Sequence, residues 1–256
     1  MVEKTIWQPS PNFDDRGDGV PTDMLVLHYT GMETGAAALA RLTEENSQVS
    51  AHYLVEEDGT VFQLVEEKNR AWHAGVSAWR GETNINARSI GIEIVNPGHE
   101  FGYRAFPDNQ MASVADLSKD IVERHGIQPT HVVGHSDVAP ARKEDPGELF
   151  AWEKLSEIGV GIWFGKGWRA DLTRPSLHVG SEGDIVQRLR EHLRGIGYGV
   201  AEIGLFDDEL SVVIKAFQRH WRPNLIDGVA DSETQSAVEE IFKRSGRLTP
   251  LAARLT

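Results

Sequence analysis

An α/β domain built on a mixed β-sheet flanked by helices, followed by a small C-terminal three-helix domain, is the fold class that the sequence predicts. Three observations carry this expectation. Between residues 24 and 134, short apolar runs bounded by turn residues alternate with stretches of helical period. From Gly159 to Gly183 the periodicity dissolves into Gly, aromatic and basic residues, as in a connecting segment. Three amphipathic stretches follow it. With 256 residues, the chain has room for a medium domain plus a small one.

The elements follow in order. Met24–Tyr29, Ala51–Val55, Val61–Val65, Ser89–Val95 and His131–Gly134 read as strands, set off by turn signals such as Asp58-Gly59 and Asn96-Pro97-Gly98. Ala36–Leu42 and Met111–His125 read as helices. In the second, Met111, Val114, Ala115, Leu117, Ser118, Ile121 and Val122 trace an apolar stripe. Beyond the connecting segment, Ile185, Leu189, Leu193 and Ile196 line one helix that ends at Gly195-Ile-Gly197. Leu210, Val213, Phe217 and Trp221 line a second, and Ala237, Val238, Ile241 and Phe242 a third. A module of about 70 residues is near the lower limit for an independent core, so Phe217 and Trp221 are read as core.

Composition excludes several functions. A net charge of −13 without a basic face argues against a nucleic-acid partner, since phosphate neutralisation needs one. With no cysteine, disulfides and thiolate nucleophiles are excluded, and any metal must rest on nitrogen and oxygen ligands. No window reaches the length of a membrane span. The N-terminal residues Met1 to Pro11 lack the apolar core of a signal peptide, so the chain is expected to be cytoplasmic, or periplasmic if a leader has been removed.

The chemistry concentrates in His135-Ser-Asp-Val-Ala-Pro-Ala-Arg-Lys-Glu-Asp-Pro-Gly147. An imidazole (His135), an ammonium (Lys143) and a carboxylate (Asp145) share this stretch, and Pro140 and Pro146 disfavour a continuous helix. A structured loop that folds back would bring His135 and Asp145 together. His28, at the end of an apolar strand and 107 residues earlier, is the candidate for the imidazole that completes a zinc site. A His at a strand end is by itself commonly structural. Two imidazoles and a carboxylate, with the fourth position open, describe a catalytic rather than a structural zinc site.

In Ser89-Ile-Gly-Ile-Glu-Ile-Val-Asn96, alternation puts Ile90, Ile92 and Ile94 on one face and Gly91, Glu93 and Val95 on the other. A carboxylate inside such a strand is costly unless it is paired, functional or on a partly exposed face. In the functional reading, Glu93 is a general base for water activated at the metal. Lys143 would then face the oxyanion formed on the attacked carbonyl, where the ordinary expectation for a lysine is a solvated loop.

His28, Ser89-Ile-Gly-Ile-Glu93 and His135-Ser-Asp-x-Ala-Pro-x-Arg-Lys143-x-Asp145-Pro-Gly together resemble the zinc N-acetylmuramoyl-L-alanine amidases of the AmpD/AmiD type. Ser50-Ala-His52-Tyr-Leu-Val and Ala71-Trp-His73-Ala-Gly-Val-Ser-Ala-Trp79-Arg-Gly extend the likeness, which covers roughly Thr5 to Trp168. The resemblance implies a phage-lysozyme/peptidoglycan-recognition-like fold over residues 5–168, one Zn2+ ion on His28, His135 and Asp145, Glu93 as general base and Lys143 as stabiliser of the tetrahedral intermediate. Related branches often use Cys as third ligand; Asp145 fits the Asp-ligand branch. The implied reaction is hydrolysis of the amide between muramic or anhydromuramic acid and the L-alanine of the stem peptide. The alternatives are a non-catalytic peptidoglycan receptor and a zinc peptidase cutting within the stem.

His52 reads as a structural or ligand-supporting residue. Trp72, His73 and Trp79 are candidates for a sugar- or peptide-binding wall, with core packing an equal account of Trp72. The remaining histidines, His220 among them, show no partner pattern. Residues 180–246 resemble the peptidoglycan-binding domain appended to cell-wall hydrolases, through Val186-Gln-Arg-Leu189, Gly195-Ile-Gly-Tyr198, Phe206-Asp207, Ala216-Phe-Gln-Arg-His220, Asp227-Gly228 and Glu233-Thr234. The chain departs from that pattern at the insertion-like Trp221-Arg-Pro-Asn-Leu and at Asp231, where Gly is usual. Peptidoglycan or muropeptides are the expected partners, and a monomer the expected state.

Overall fold

Met24–Leu27 is buried at every position, and both of its faces are covered. In the computed structural model, which describes residues 5–248, this run belongs to the second-last strand of a six-stranded sheet. The strands are β1 (Thr5–Trp7), β2 (Phe13–Asp15), β3 (Met24–Tyr29), β4 (Tyr53–Val55), β5 (Val61–Gln63), β6 (Asn69–Ala71), β7 (Ser89–Ile94) and β8 (Val132–Gly134). The sheet order is β1-β5-β4-β7-β3-β8, while β2 and β6 form a separate antiparallel pair. β3 runs parallel to β7 and β8, and β4 runs parallel to β7 but antiparallel to β5, so the sheet is mixed as expected.

The helices are α1 (Gly35–Thr43), α2 (Ile85–Arg88), α3 (Gly98–Phe101), α4 (Asp108–His125), α5 (His135–Val138), α6 (Trp152–Glu157), α7 (Asp184–Ile196), α8 (Asp208–Trp221) and α9 (Ser232–Leu248). Leu25, Leu27, Ile90, Ile92 and Ile94 pack against Met111, Val114, Leu117 and Ile121 of α4. On the opposite face, Met24 and Val26 join Val133, Val138 and Trp79 in one apolar cluster with the cores of α7, α8 and α9. The three C-terminal helices therefore complete the cover of the sheet. This is why β3 reads as a continuous apolar run rather than an alternating one. A third cluster sets Leu54, Leu64 and Val95 under Ala38 and Leu42 of α1.

Several boundaries differ from the sequence expectation. The strand expected from Ala51 begins at Tyr53, the one expected to Val65 ends at Gln63, and His131 closes a 3-10 turn before β8. Residues of β1 and β2 are exposed throughout, so they carry no pattern of burial that a sequence could register. The loop expected from His135 begins with the single turn α5. On α7 the buried stripe runs through Val186, Leu189, Leu193 and Ile196, whereas Ile185 is 36% exposed. Spacings of three, four and three residues keep Val186 on the inner face, and its neighbour Ile185 is turned away. Phe217 and Trp221 are core, each contributing about 2–3 kcal/mol by burial. Among the described residues, no helix is long and apolar enough to cross a membrane.

Candidate active site

Parallel pairing brings the carboxyl ends of β3, β7 and β8 to one edge of the sheet, the usual place for ligands in open α/β sheets. His28 is the direct neighbour of Glu93 across β3 and β7, and Leu27 is the neighbour of Gly134, so His135 is the first residue beyond β8. Alternation places His28, Ser89, Gly91 and Glu93 on a common face. The loop after β8 folds back as expected. The Ser136 N–H donates to the Asp145 carbonyl at 2.9 Å, joining its two ends.

Three candidate ligand atoms meet as a result. Nδ1 of His28 lies 2.9 Å from Nδ1 of His135 and 3.0 Å from Oδ2 of Asp145; His135 Nδ1 and Asp145 Oδ2 are 3.0 Å apart. All three residues are buried. Atoms around a tetrahedral zinc lie about 3.3 Å from one another, close to this spacing.

The outer hydrogen bonds fix which nitrogen of each ring faces inward. His135 Nε2 donates to the Ala74 carbonyl at 3.1 Å, which leaves its Nδ1 lone pair directed at the cluster. The His28 proton is placed through a chain of three residues. The Ser89 hydroxyl donates to the Ile85 carbonyl at 2.7 Å, so its oxygen accepts from His73 Nε2 at 3.1 Å. His73 Nδ1 is then an acceptor and receives the His28 Nε2 proton at 3.0 Å, so His28 also turns a bare Nδ1 inward. Gly91 makes room for this chain: a Cβ there would stand 2.5 Å from His73 Cγ.

Electrostatics agree with a neutral-imidazole donor set. Burial and then the neighbouring His135 lower His28 to about 4. Burial would raise the Asp145 carboxyl, but the facing imidazoles of His135 and His28 outweigh it and hold Asp145 below the ordinary carboxylate range. Glu93 is shifted the other way, well upward, by burial and then by the charge of Asp145, with Lys143 opposing. Its Oε2 is enclosed and has no hydrogen-bond partner among the described residues.

Glu93, His135, Lys143 and Asp145 line a cleft of about 870 Å³, together with His73 and Trp72. Lys143 is half-buried, and its ammonium makes no ion pair with a described residue. Trp72 and His73 therefore stand where a binding wall was expected. Trp79 does not. It is 2% exposed, donates from Nε1 to the Thr130 carbonyl at 3.0 Å, and packs against Tyr198 of the C-terminal module. Its side chain fills the seam between sheet and helices instead of facing the cleft. His52 is structural: Nδ1 accepts from the Gly91 N–H at 3.0 Å, and burial followed by the Arg16 charge lowers it to about 3.

The sequence profile described as N-acetylmuramoyl-L-alanine amidase matches residues 18–148, and one described as a putative peptidoglycan binding domain matches residues 182–238. N-acetylmuramoyl-L-alanine amidase AmiD of Escherichia coli (strain K12) is 38% identical over 263 residues, covering 96% of this chain and 92% of that protein. The chain belongs to the N-acetylmuramoyl-L-alanine amidase family. Among solved structures, the amidase superposes on E. coli AmiD in complex with anhydro-N-acetylmuramic acid-L-Ala-D-gamma-Glu-L-Lys with a TM-score of 0.74 at 36% identity, covering 93% of each chain. AmpDh3 from Pseudomonas aeruginosa in complex with anhydromuramic pentapeptide gives 0.75 at 32% identity, covering 93% of this chain and 95% of that one.

The amidase's own donor set fits zinc. Two imidazoles with inward lone pairs and one low-pKa carboxylate converge, and the cleft leaves a further position open. The sequence marks Arg142 and Asp137 only as loop-shaping or ligand-supporting residues and leaves their partners unassigned. Arg142 donates from Nη2 to the Ala74 carbonyl at 2.9 Å and to the Val76 carbonyl at 2.6 Å, bracing the segment that accepts from His135. The sequence marks His73 only as a candidate wall residue, although it sets the His28 tautomer. Asp137 receives two of its partners, Tyr198 and His220, from the C-terminal module, which no local pattern signals.

Proposed function

We propose that this amidase holds one Zn2+ on His28, His135 and Asp145 and hydrolyses the amide between N-acetylmuramic or anhydromuramic acid and L-alanine of the stem peptide. The observation that carries the reading is the meeting of Glu93, His135, Lys143 and Asp145 in one cleft, with His28 within 3.0 Å of its two partners. The peptides bound to AmiD and AmpDh3 support a muramyl-peptide substrate. Residues 5–168 would carry the chemistry and 180–246 the contact with wall polymer. Since one chain supplies all five residues, a monomer suffices.

A bound zinc ion supplies Lewis acidity toward water and toward the scissile carbonyl. Glu93 takes the proton of the attacking water, at an oxygen that no protein donor occupies. Its raised pKa lets the same carboxyl return that proton to the departing alanine nitrogen as the C–N bond breaks. The Lys143 ammonium faces the negative charge growing on the carbonyl oxygen. Products are the free lactyl carboxylate and the free amino terminus of the stem.

Mass spectrometry after incubation with an anhydromuramyl tripeptide and with intact sacculi tests this. Release of the whole stem with a free L-alanine amine is expected, and cleavage within the stem, or none by zinc-loaded protein, overturns it. Preference for the soluble peptide would assign the amidase to recycling in the cytoplasm, and preference for sacculi to wall turnover in the periplasm.

A further inference from the structure

Asp137 is two residues beyond His135, is 1% exposed, and belongs to neither the donor set nor the cleft. Its Oδ2 accepts from the Gly134 N–H at 2.8 Å, directly before His135. The other donors come from the C-terminal module. Tyr198, just past α7, donates from Oη to Oδ1 at 2.6 Å, and His220 on α8 donates from Nδ1 to Oδ2 at 2.7 Å. The carboxylate therefore ties the β8–α5 turn to the end of α7 and to α8, more than 60 residues away in sequence.

The surroundings make this a rigid connection. The His220 ring lies between Trp152 and Trp221, stacked at centroid distances of 3.9 and 3.6 Å. Tyr198 meets Trp79 edge-on at 5.0 Å. Gly197 presses so closely on Trp79 that a Cβ would lie 2.5 Å from its Cε2, and its carbonyl accepts from the Arg80 N–H at 2.8 Å. His220 Nε2 is buried with no hydrogen-bond partner among the described residues, a cost that an apolar ring of similar shape would not carry. What the imidazole adds over such a ring is the N–H given to Asp137.

We infer that Tyr198 and His220 are positioning residues for the metal site, acting through Asp137 on the turn that presents His135. The module that resembles a wall-binding domain is thus also a structural half of the catalytic centre. The inference rests on the reading of His28, His135 and Asp145 as zinc ligands. Loss of either donor leaves a buried carboxylate short of hydrogen bonds. It relaxes by moving, and the Gly134–His135 backbone that donates to it moves with it.

The test uses the full chain as Tyr198→Phe, His220→Phe and wild type. Zinc affinity is read by competition with a chromophoric chelator, ligand geometry by the visible spectrum of the Co2+ form, and kcat and KM on a soluble anhydromuramyl tripeptide. Each variant is expected to bind zinc about tenfold more weakly, with an altered Co2+ spectrum, a lower kcat and a KM within about twofold. Folded variants with wild-type zinc affinity and an unchanged Co2+ spectrum overturn the inference, even if their thermal stability falls. Should His220→Phe fail to fold, Tyr198→Phe decides alone, because it deletes one oxygen and keeps the ring against Trp79. The wild-type titration separates the two layers. Wild type that takes no metal overturns the ligand reading and this one with it; wild type and variants that bind alike overturn only this one.

Discussion

Replacing Gly91 by Ala would perturb the proposed metal site without touching a proposed ligand. The new methyl would stand 2.5 Å from Cγ and 2.6 Å from Cδ2 and Nδ1 of His73. Carbon contacts settle at about 3.5 Å, so the ring must withdraw by about 1 Å. It cannot do so freely. Nε2 is held by Ser89 at 3.1 Å and Nδ1 by His28 at 3.0 Å, and both bonds are buried. Overpacking costs about 1–3 kcal/mol, and a lost buried hydrogen bond costs a similar amount. Because the two overlap, about 2–4 kcal/mol is expected in total, a drop in Tm of roughly 10 °C for a chain of this size. The functional consequence is separate. Once His73 withdraws, nothing fixes the His28 proton on Nε2, and zinc affinity should fall about 10- to 100-fold. Thermal unfolding and chelator competition on G91A measure the two effects. A variant with wild-type Tm and zinc affinity would refute the proton chain from Ile85 to His28.

Other outcomes follow from the same geometry. Lys143→Met should lower kcat on a soluble muropeptide by about 10²- to 10³-fold while leaving KM and zinc content near wild type, as loss of one oxyanion partner does; an unchanged kcat would remove Lys143 from the mechanism. Zinc added at a hundred times its Kd should stabilise the metal-free protein by about 2.7 kcal/mol, seen as a rise in Tm, and no rise would argue against a site that binds only the folded chain. Far from the cleft, burial would raise the Glu67 carboxyl, but hydrogen bonds from Arg124, His125 and Tyr53 outweigh it and hold it at about 2. A lowered carboxyl stabilises the fold above its unfolded value near 4.5, and that contribution disappears as pH falls toward 2. Arg124 is partly solvated, so the term is about 1–2 kcal/mol after screening. Glu67→Gln should therefore cost stability at pH 7 and make little difference at pH 2, in urea unfolding followed by circular dichroism.

The legible parts of the chain were those whose signal is local. β3 runs from Met24 to Tyr29 as read, because a strand covered on both faces is apolar without interruption. His135, Lys143 and Asp145 announced themselves by sharing one proline-bounded loop, and Glu93 by its place in an isoleucine strand. Short exposed strands such as β1 and β2 carried nothing to read, since three exposed residues leave no periodicity. Trp79 was legible as an aromatic near the site but not as a seam residue, because its neighbour Tyr198 lies far along the chain. His220 was invisible for the same reason: Asp137 is 83 residues away, and the pairing exists only once α8 lies over α5. The tautomer chain through Ser89 and His73 likewise needed distances and directions, not residue types.

In the proposed mechanism His28, His135 and Asp145 hold zinc while Glu93 moves the proton. Metal content and turnover of an anhydromuramyl tripeptide, measured together on Asp145→Ala and Glu93→Gln, test it most directly. Asp145→Ala is expected to lose both metal and activity, while Glu93→Gln keeps one zinc per chain and loses about 10²- to 10⁴-fold in kcat. Stoichiometric zinc in Asp145→Ala, or wild-type turnover in Glu93→Gln, would contradict it.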